Sequence, residues 1–324
     1  MKVGVLGGGA WGTALAQVAA SGGHDVLLWA LEDQVVRAVN EVHENGLYLP
    51  GVPLSPAIRA TGDKGDLGAC DALLAVTPAQ HLRSVLTGTP ADRVPLILCA
   101  KGIEAGTLRL MSEVAAEVRP RAPVAVLSGP TFAHEVAAGL PTAVTLACAD
   151  GALGSELAQA LARPQFRPYL SSDVIGAEVG GAVKNVLAIA CGVVDGRGLG
   201  QNARAALISR GFAEMTRFGL AKGARAETLA GLSGLGDLVL TCSSTSSRNF
   251  SLGKSIGEGR AAADLLADRR TVAEGAFTAP VLRQAALTLG VDMPVVDAVC
   301  ALLAGTMPVD ETINALLSRP LRAE

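Results

Sequence analysis

Three glycines near the start of the chain do most to limit its fold. Gly7-Gly-Gly9-Ala-Trp-Gly12 follows the apolar run Val3-Gly-Val-Leu6 and opens a helical stretch over 11–20. In that setting each glycine has its own physical task. Gly7 permits a tight turn, Gly9 lets the backbone approach a pyrophosphate, and Gly12 lets helix pack on strand. The helix N-terminus then receives the negative charge. A glycine-rich structural turn would carry the same letters. The strand before and the helix after favour a dinucleotide site.

The first half continues the alternation. Apolar strand runs recur at 25–30, 71–76, 94–99, 124–127 and 143–148, separated by helical patterns up to 42 and near 79–87, 106–118 and 151–161. Strands separated by helices predict an α/β Rossmann-type doubly wound parallel sheet, with ligands at the carboxyl ends of its strands. From about Ser172 helical periodicity takes over, at 173–194, 202–220, 226–231, 249–257, 260–267, 278–288 and 294–303, with no strand pattern. The expected division is a dinucleotide-binding domain over 1–171 and an all-α substrate-binding, catalytic domain over 172–324.

Composition narrows the function. A net charge of −3 and few aromatic residues give no case for nucleic acid. No uninterrupted apolar run reaches the ~18 residues of a membrane span, and no signal peptide is read at the start. The expected setting is the cytoplasm. Six cysteines form no C-x-x-C pair, which predicts reduced, buried thiols. No cluster has metal-ligand spacing, so no metal is expected.

Lys184 stands in Val179-Gly-Gly-Ala-Val-Lys184-Asn185-Val-Leu-Ala-Ile-Ala190, apolar on every side. Burying an unpaired ammonium is costly and lowers its pKa. Gly180 and Gly181 lie at helical spacing and predict an open slot beside the amine. A lysine can snorkel to water or pair with a carboxylate such as Glu178. It can also carry protons in catalysis, which arginine cannot. Two accounts fit Glu32 in Leu31-Glu32-Asp33, about 20 residues past the glycines. It can meet a free ribose 2′-hydroxyl, which favours NAD, or be an ordinary first-turn acid.

Further motifs complete the pattern: Ala100-Lys101-Gly102-Ile103-Glu104, Ser128-Gly-Pro-Thr-Phe-Ala-His-Glu135, Gly231-Leu-Ser-Gly-Leu-Gly-Asp237, Ser247-Arg248-Asn249 and Thr271-Val-Ala-Glu274. With GGGAWGTALA at 7–16 and the Lys184 helix, the chain closely resembles the bacterial-type NAD(P)-dependent glycerol-3-phosphate dehydrogenases from residue 1 to about 310. The resemblance implies reversible reduction of dihydroxyacetone phosphate to sn-glycerol 3-phosphate, a phospholipid head-group precursor, with Lys184 as proton donor and acceptor. It implies substrate contacts from Lys101, Gly129, Thr131, Lys184, Asp237, Ser247, Arg248 and Asn249. Beyond Gly7, Gly9, Gly12 and Glu32, it implies cofactor contacts from Ala10, Trp11, Tyr48, Lys101, Ala133, Arg248, Val272 and Glu274. It also suggests a homodimer. Where this family often carries arginine after the second strand, this chain has Leu31-Glu32. That departure leans the cofactor from NADP towards NAD.

The residue types suit the chemistry. A lysine ammonium stabilises and protonates the oxyanion left by hydride delivery. Arg248 offers a planar fork for a phosphate, with Ser247 and Asn249 at a helix start. Asp237 suits a substrate hydroxyl or the orientation of Lys184; as a plain helix N-cap it would do neither. The expected geometry is a cleft between the two domains. His134 and Glu135 read as first-turn helix residues. Two other functions remain: a dehydrogenase of another small hydroxy acid, and a non-catalytic dinucleotide sensor.

Overall fold

The computed structural model describes residues 1–90, 92–267 and 273–320. These form two compact units: Met1–Glu104 with Arg109–Glu178, and Ala105–Leu108 with Val179–Glu324.

The first unit is built on ten strands: β1 (Lys2–Leu6), β2 (Asp25–Trp29), β3 (Glu44–Asn45), β4 (Leu49–Pro53), β5 (Ile58–Thr61), β6 (Ala72–Ala75), β7 (Leu96–Leu98), β8 (Val124–Ser128), β9 (Thr142–Cys148) and β10 (Phe166–Ser171). Eight of them form one sheet in the order β10-β9-β8-β7-β6-β1-β2-β5, and β3 and β4 make a separate hairpin. Alternate positions feed two buried clusters. Val3, Val5, Ala72 and Leu74 join one, while Leu6, Leu73 and Ala75 join the other. Both faces are therefore covered, which is why the strands read as unbroken apolar runs. The chain runs from β1 outward through β2 to β5, then returns to β6 on the other side of β1. The loops after β1 and β6 part company there, and that switch point is where such sheets bind ligands.

The sheet departs from the expected all-parallel pattern at one pair, because β8 and β9 run antiparallel. The short helix Ala133–Ala137 and its flanking turns suffice to reverse the chain, whereas a parallel crossover needs more. Four strands lie outside the periodicity: the hairpin strands β3 and β4, and the edge strands β5 and β10 of the large sheet. β10 carries Pro168, which an edge position tolerates. The helix expected over 106–118 spans only Met111–Val118. Gly106 and Leu108 have φ of 83° and 59°, values that break a helix. Glu113 Oε2 then accepts the Leu110 N–H at 2.7 Å and fixes the start.

The second unit is helical among its described residues. The division between units falls inside the helix Val174–Gly196, whose start is capped by Asp173 Oδ1 accepting from Gly176 N at 2.9 Å. This helix is long and apolar enough to cross a membrane, but 89% of its most apolar window is buried in the protein. Its partner is the helix Arg248–Gly257. A Cβ on Gly192 would sit 2.1 Å from the Phe250 carbonyl oxygen, and one on Gly253 1.9 Å from that of Ile189. Gly196 and Gly257 repeat the arrangement one turn on, against the Lys254 and Val193 carbonyls. The two backbones touch, and no side chain fits between them. All six cysteines are free thiols.

One buried acid makes this unit pH-sensitive. Glu214, on the helix Gly200–Lys222, is 2% exposed and accepts from the backbone N–H groups of Val295 and Val296, at the start of the helix Pro294–Ala304. Burial pushes its pKa up to about 7, against the opposing pull of those two N–H groups and of Arg217. A raised carboxyl pKa lowers stability as pH climbs from the unfolded value towards the folded one. Between pH 4.5 and 7 the loss is about 3 kcal/mol at about 1.4 per pH unit. Glu214→Gln cannot ionise, so its unfolding free energy is expected to fall less over that interval. Equal pH slopes for the two proteins in denaturant titrations would remove Glu214 as the cause.

Candidate active site

In the first unit the glycine loop has the shape its sequence requires. Gly7 has φ 127°, and a Cβ there would lie 2.8 Å from the Val76 carbonyl oxygen. A Cβ on Gly12 would lie 1.9 Å from the Gly7 carbonyl oxygen, so helix Ala10–Ser21 closes directly on the loop. Gly9 is different: nothing lies within 4 Å of a Cβ built there. Gly9 is also the N-cap and offers no side-chain cap to the helix. The first N–H groups of the helix are thus left for a ligand. Trp11 Nε1 is buried with no hydrogen-bond partner. The open face at Gly9, the uncapped helix start and this orphaned donor fit the pyrophosphate of a dinucleotide.

Asn45 ties this loop to the Glu44–Pro53 hairpin, and Tyr48 ties the hairpin to Glu32. Asn45, 1% exposed, donates from Nδ2 to Gly8 O and Thr13 Oγ1, both at 2.8 Å. Tyr48 donates its hydroxyl to Glu32 Oε1 at 2.8 Å. Glu32 is the N-cap of helix Asp33–Val42, yet its side chain makes no cap bond. Asn45 is a residue that sequence reasoning missed, since nothing in Asn45-Gly-Leu marks a loop anchor.

Past the switch point, Lys101 Nζ and Thr131 Oγ1 both donate to the Gly129 carbonyl, each at 3.4 Å. A Cβ on Gly129 would stand 2.9 Å from Val144 Cα, so β9 holds this turn in place. Ala133 begins the helix Ala133–Ala137, with His134 and Glu135 in its first turn. Lys101, Gly129, Thr131 and Ala133 thus gather beyond the ends of β7 and β8. Nearby, burial pushes the Cys99 thiol up to about 12 against the pull of Lys101, which keeps it neutral.

In the second unit the sequence places Lys184 in a buried helix, and the structure gives it a partner. Lys184 is 6% exposed and Asp237 is fully buried. Lys184 Nζ donates to Asp237 Oδ1 at 2.5 Å and to Thr241 Oγ1 at 3.0 Å. Thr241 in turn donates to the Asp237 carbonyl at 2.6 Å. Glu178, the carboxylate considered from sequence, instead accepts from Ser112 N and Oγ. The expected open slot at Gly180 is filled. A Cβ there would be 2.2 Å from the Ser233 carbonyl oxygen, so the glycine admits backbone rather than a ligand. Ser233 lies in a π-helical turn, Leu232–Gly236, which leads into the helix Asp237–Thr241. That wide turn aims Asp237 and Thr241 together at the amine. The Cys242 thiol is raised well above its usual range, by its hydrogen bond with Cys191 and then by burial. It stays neutral and leaves Asp237 as the carboxylate that meets Lys184.

Ser247 caps the helix Arg248–Gly257, its Oγ accepting from Phe250 N at 3.3 Å. Arg248 is the first residue of that helix and is exposed. Asn249 is buried; its Nδ2 donates to Asn185 Oδ1 at 3.0 Å and its Oδ1 accepts from Gly275 N at 2.9 Å. Asn249 thereby joins the Lys184 helix to the helix Glu274–Thr288, which Glu274 begins. Val272 lies outside the described residues.

A Rossmann-type unit with an open glycine loop, joined in one chain to a helical unit holding a buried lysine–aspartate pair, defines a two-domain nicotinamide-dependent dehydrogenase. Comparison with known proteins makes the class particular. Residues 2–154 match the model of the NAD-dependent glycerol-3-phosphate dehydrogenase N-terminus, and residues 173–314 that of its C-terminus. The chain belongs to the NAD-dependent glycerol-3-phosphate dehydrogenase family. It is 66% identical over 323 residues to the glycerol-3-phosphate dehydrogenase (NAD(P)+) of Erythrobacter litoralis, covering 100% of this chain and 98% of that one. It is 64% identical to glycerol-3-phosphate dehydrogenase (NAD(P)+) 1 of Sphingopyxis alaskensis, covering 99% and 97%. The crystal structure of glycerol-3-phosphate dehydrogenase from Coxiella burnetii superposes with a TM-score of 0.93 at 38% identity, over 98% of this chain and 99% of that one.

Proposed function

We propose that the protein catalyses the reversible reduction of dihydroxyacetone phosphate to sn-glycerol 3-phosphate with NAD(P)H, in the cytoplasm and as a homodimer, supplying glycerophospholipid synthesis. The observation that carries the reading is the buried Lys184 ammonium held by Asp237 and Thr241. The bound nicotinamide supplies the hydride in reduction and takes it back in oxidation. Lys184 donates a proton to the C2 oxygen as charge develops there, and takes it back in the reverse direction. Asp237 and Thr241 fix the amine in one position, so little reorganisation accompanies the transfer.

The proposed division places the dinucleotide on residues 1–171, through Gly7, Gly9, Ala10, Trp11, Gly12, Glu32, Tyr48, Lys101 and Ala133. Residues 172–324 grip the substrate, and Arg248, Val272 and Glu274 also meet the cofactor. Lys101, Gly129, Thr131, Ser247, Arg248 and Asn249 complete the substrate contacts with Lys184 and Asp237. Asn249 does this partly by fastening helices, given its two buried bonds. Arg248→Ala is expected to raise KM for the phosphorylated substrate roughly 10- to 100-fold, the worth of a charge-assisted hydrogen bond. An equal loss with an unphosphorylated analogue would refute the phosphate assignment.

Loss of nicotinamide absorbance on mixing protein, dihydroxyacetone phosphate and NADH or NADPH tests the whole reading. Turnover only with an unphosphorylated hydroxy or keto acid would assign another substrate. Dinucleotide binding without any turnover would make the protein a sensor.

A further inference from the structure

The hairpin Glu44–Pro53 carries a device for choosing between the two nicotinamide dinucleotides. We propose that Tyr48 is a specificity-determining positioning residue, whose hydroxyl holds the Glu32 carboxylate beside the cofactor ribose and so enforces rejection of a 2′-phosphate. The proposal rests on the dinucleotide reading of the glycine loop.

Three observations lead to it. Glu32 stands just beyond the end of β2, where a ribose-binding acid is required, and its carboxylate is not spent on capping helix Asp33–Val42. Its Oε1 accepts the Tyr48 hydroxyl at 2.8 Å. Tyr48 is itself anchored, because its backbone N–H donates to Asn45 Oδ1 at 3.3 Å while Asn45 Nδ2 holds Gly8 O and Thr13 Oγ1. The acid is thereby fastened, through one tyrosine and one buried asparagine, to the loop proposed to carry the pyrophosphate.

A glutamate on a free side chain discriminates poorly. It has three rotatable bonds and can swing away when a dianionic phosphate arrives. Holding Oε1 removes that escape and leaves the other oxygen to accept from a ribose hydroxyl. A 2′-phosphate then meets a fixed like charge, which is rejection by repulsion as much as selection by attraction. Burial and the Glu32 bond both raise the Tyr48 pKa, so the hydroxyl remains a donor throughout the neutral range.

The test is a set of four proteins: wild type, Tyr48→Phe, Glu32→Ala and the double variant. For each, Kd for NADH and for NADPH is measured by nicotinamide fluorescence without substrate, and kcat/KM with dihydroxyacetone phosphate is measured alongside. Wild type is expected to favour NADH. Tyr48→Phe is expected to shrink that preference roughly tenfold, the scale of a hydrogen bond to a charged group. In the Glu32→Ala background the same change should leave the NADH-to-NADPH ratio unaltered, because there is no carboxylate left to hold. A Tyr48→Phe change in the NADH-to-NADPH ratio of equal size in both backgrounds would show that Tyr48 sets the ratio without Glu32 and overturn the proposal. So would a wild type that prefers NADPH, or an unchanged ratio in Tyr48→Phe. Selective binding lost on Tyr48→Phe, but without turnover in any of the four, would sustain the proposal while refuting the assigned reaction.

Discussion

Lys184→Ala is expected to lower kcat by roughly 10²- to 10⁴-fold, the scale of a lost general acid–base group, with little change in NADH affinity. The structure supplies the reason. The amine is buried and is held by Asp237 and Thr241 at 2.5 and 3.0 Å, so its loss removes the positioned proton carrier. Lys184→Arg is expected to be nearly as impaired. It keeps the charge, but it does not give up a proton near neutral pH, and its planar fork does not match a site shaped for an ammonium. Steady-state rates with dihydroxyacetone phosphate, paired with NADH fluorescence titrations, check both. A Lys184→Ala enzyme within a few-fold of wild-type kcat would take Lys184 out of the mechanism.

Asp237→Ala is expected to produce the largest loss of stability, about 3–5 kcal/mol, because it removes the carboxylate paired with a buried ammonium. The same logic applies in reverse to Lys184→Ala, which removes the ammonium paired with a fully buried carboxylate. Folding and catalysis are separated by the double replacement Lys184→Met with Asp237→Leu. Apolar groups of similar volume restore packing and remove both charges, and such exchanges are often neutral or stabilising. The double variant is expected to regain most of the stability lost by Asp237→Ala while remaining inactive. Denaturant unfolding of the three proteins gives the answer. Near-wild-type stability in Asp237→Ala would mean that Lys184 finds another partner or reaches water.

Much of this arrangement was legible in the sequence, for reasons that differ by residue. The glycine loop could be read because each glycine answers a separate backbone demand. Lys184 stood out because an ammonium in an unbroken apolar run needs a reason. Asp237 could be read as suiting a substrate hydroxyl or the orientation of Lys184, and the sequence did not choose between them because Lys184 lies 53 residues away across a chain that closes through a π-helical turn. Thr241 gave no signal, because a threonine inside a helix is ordinary until its hydroxyl is seen beside the amine. Asn45 was silent for the same reason. Edge strands β5 and β10 escaped because a strand paired on one side only need not be uniformly apolar. Gly180 was misread: small residues look the same whether they admit a ligand or another backbone.

The contact between the helices Val174–Gly196 and Arg248–Gly257 has a consequence for which molecules the protein accepts. Glycines 192 and 253, with 196 and 257 a turn on, lock the two backbones together with carbonyl oxygens where side chains would otherwise stand. Lys184 rides on one of these helices and Arg248 begins the other. In their proposed roles, the proton carrier and the anion grip are rooted on backbones whose separation is set by main chain. The pair of helices thereby holds the roots of these two side chains at one spacing. A three-carbon phosphate ester spans from its reacting carbon to its charge through a methylene and an ester oxygen. A 2-hydroxy acid, with its carboxylate bonded directly to the reacting carbon, offers a shorter span between its two ends.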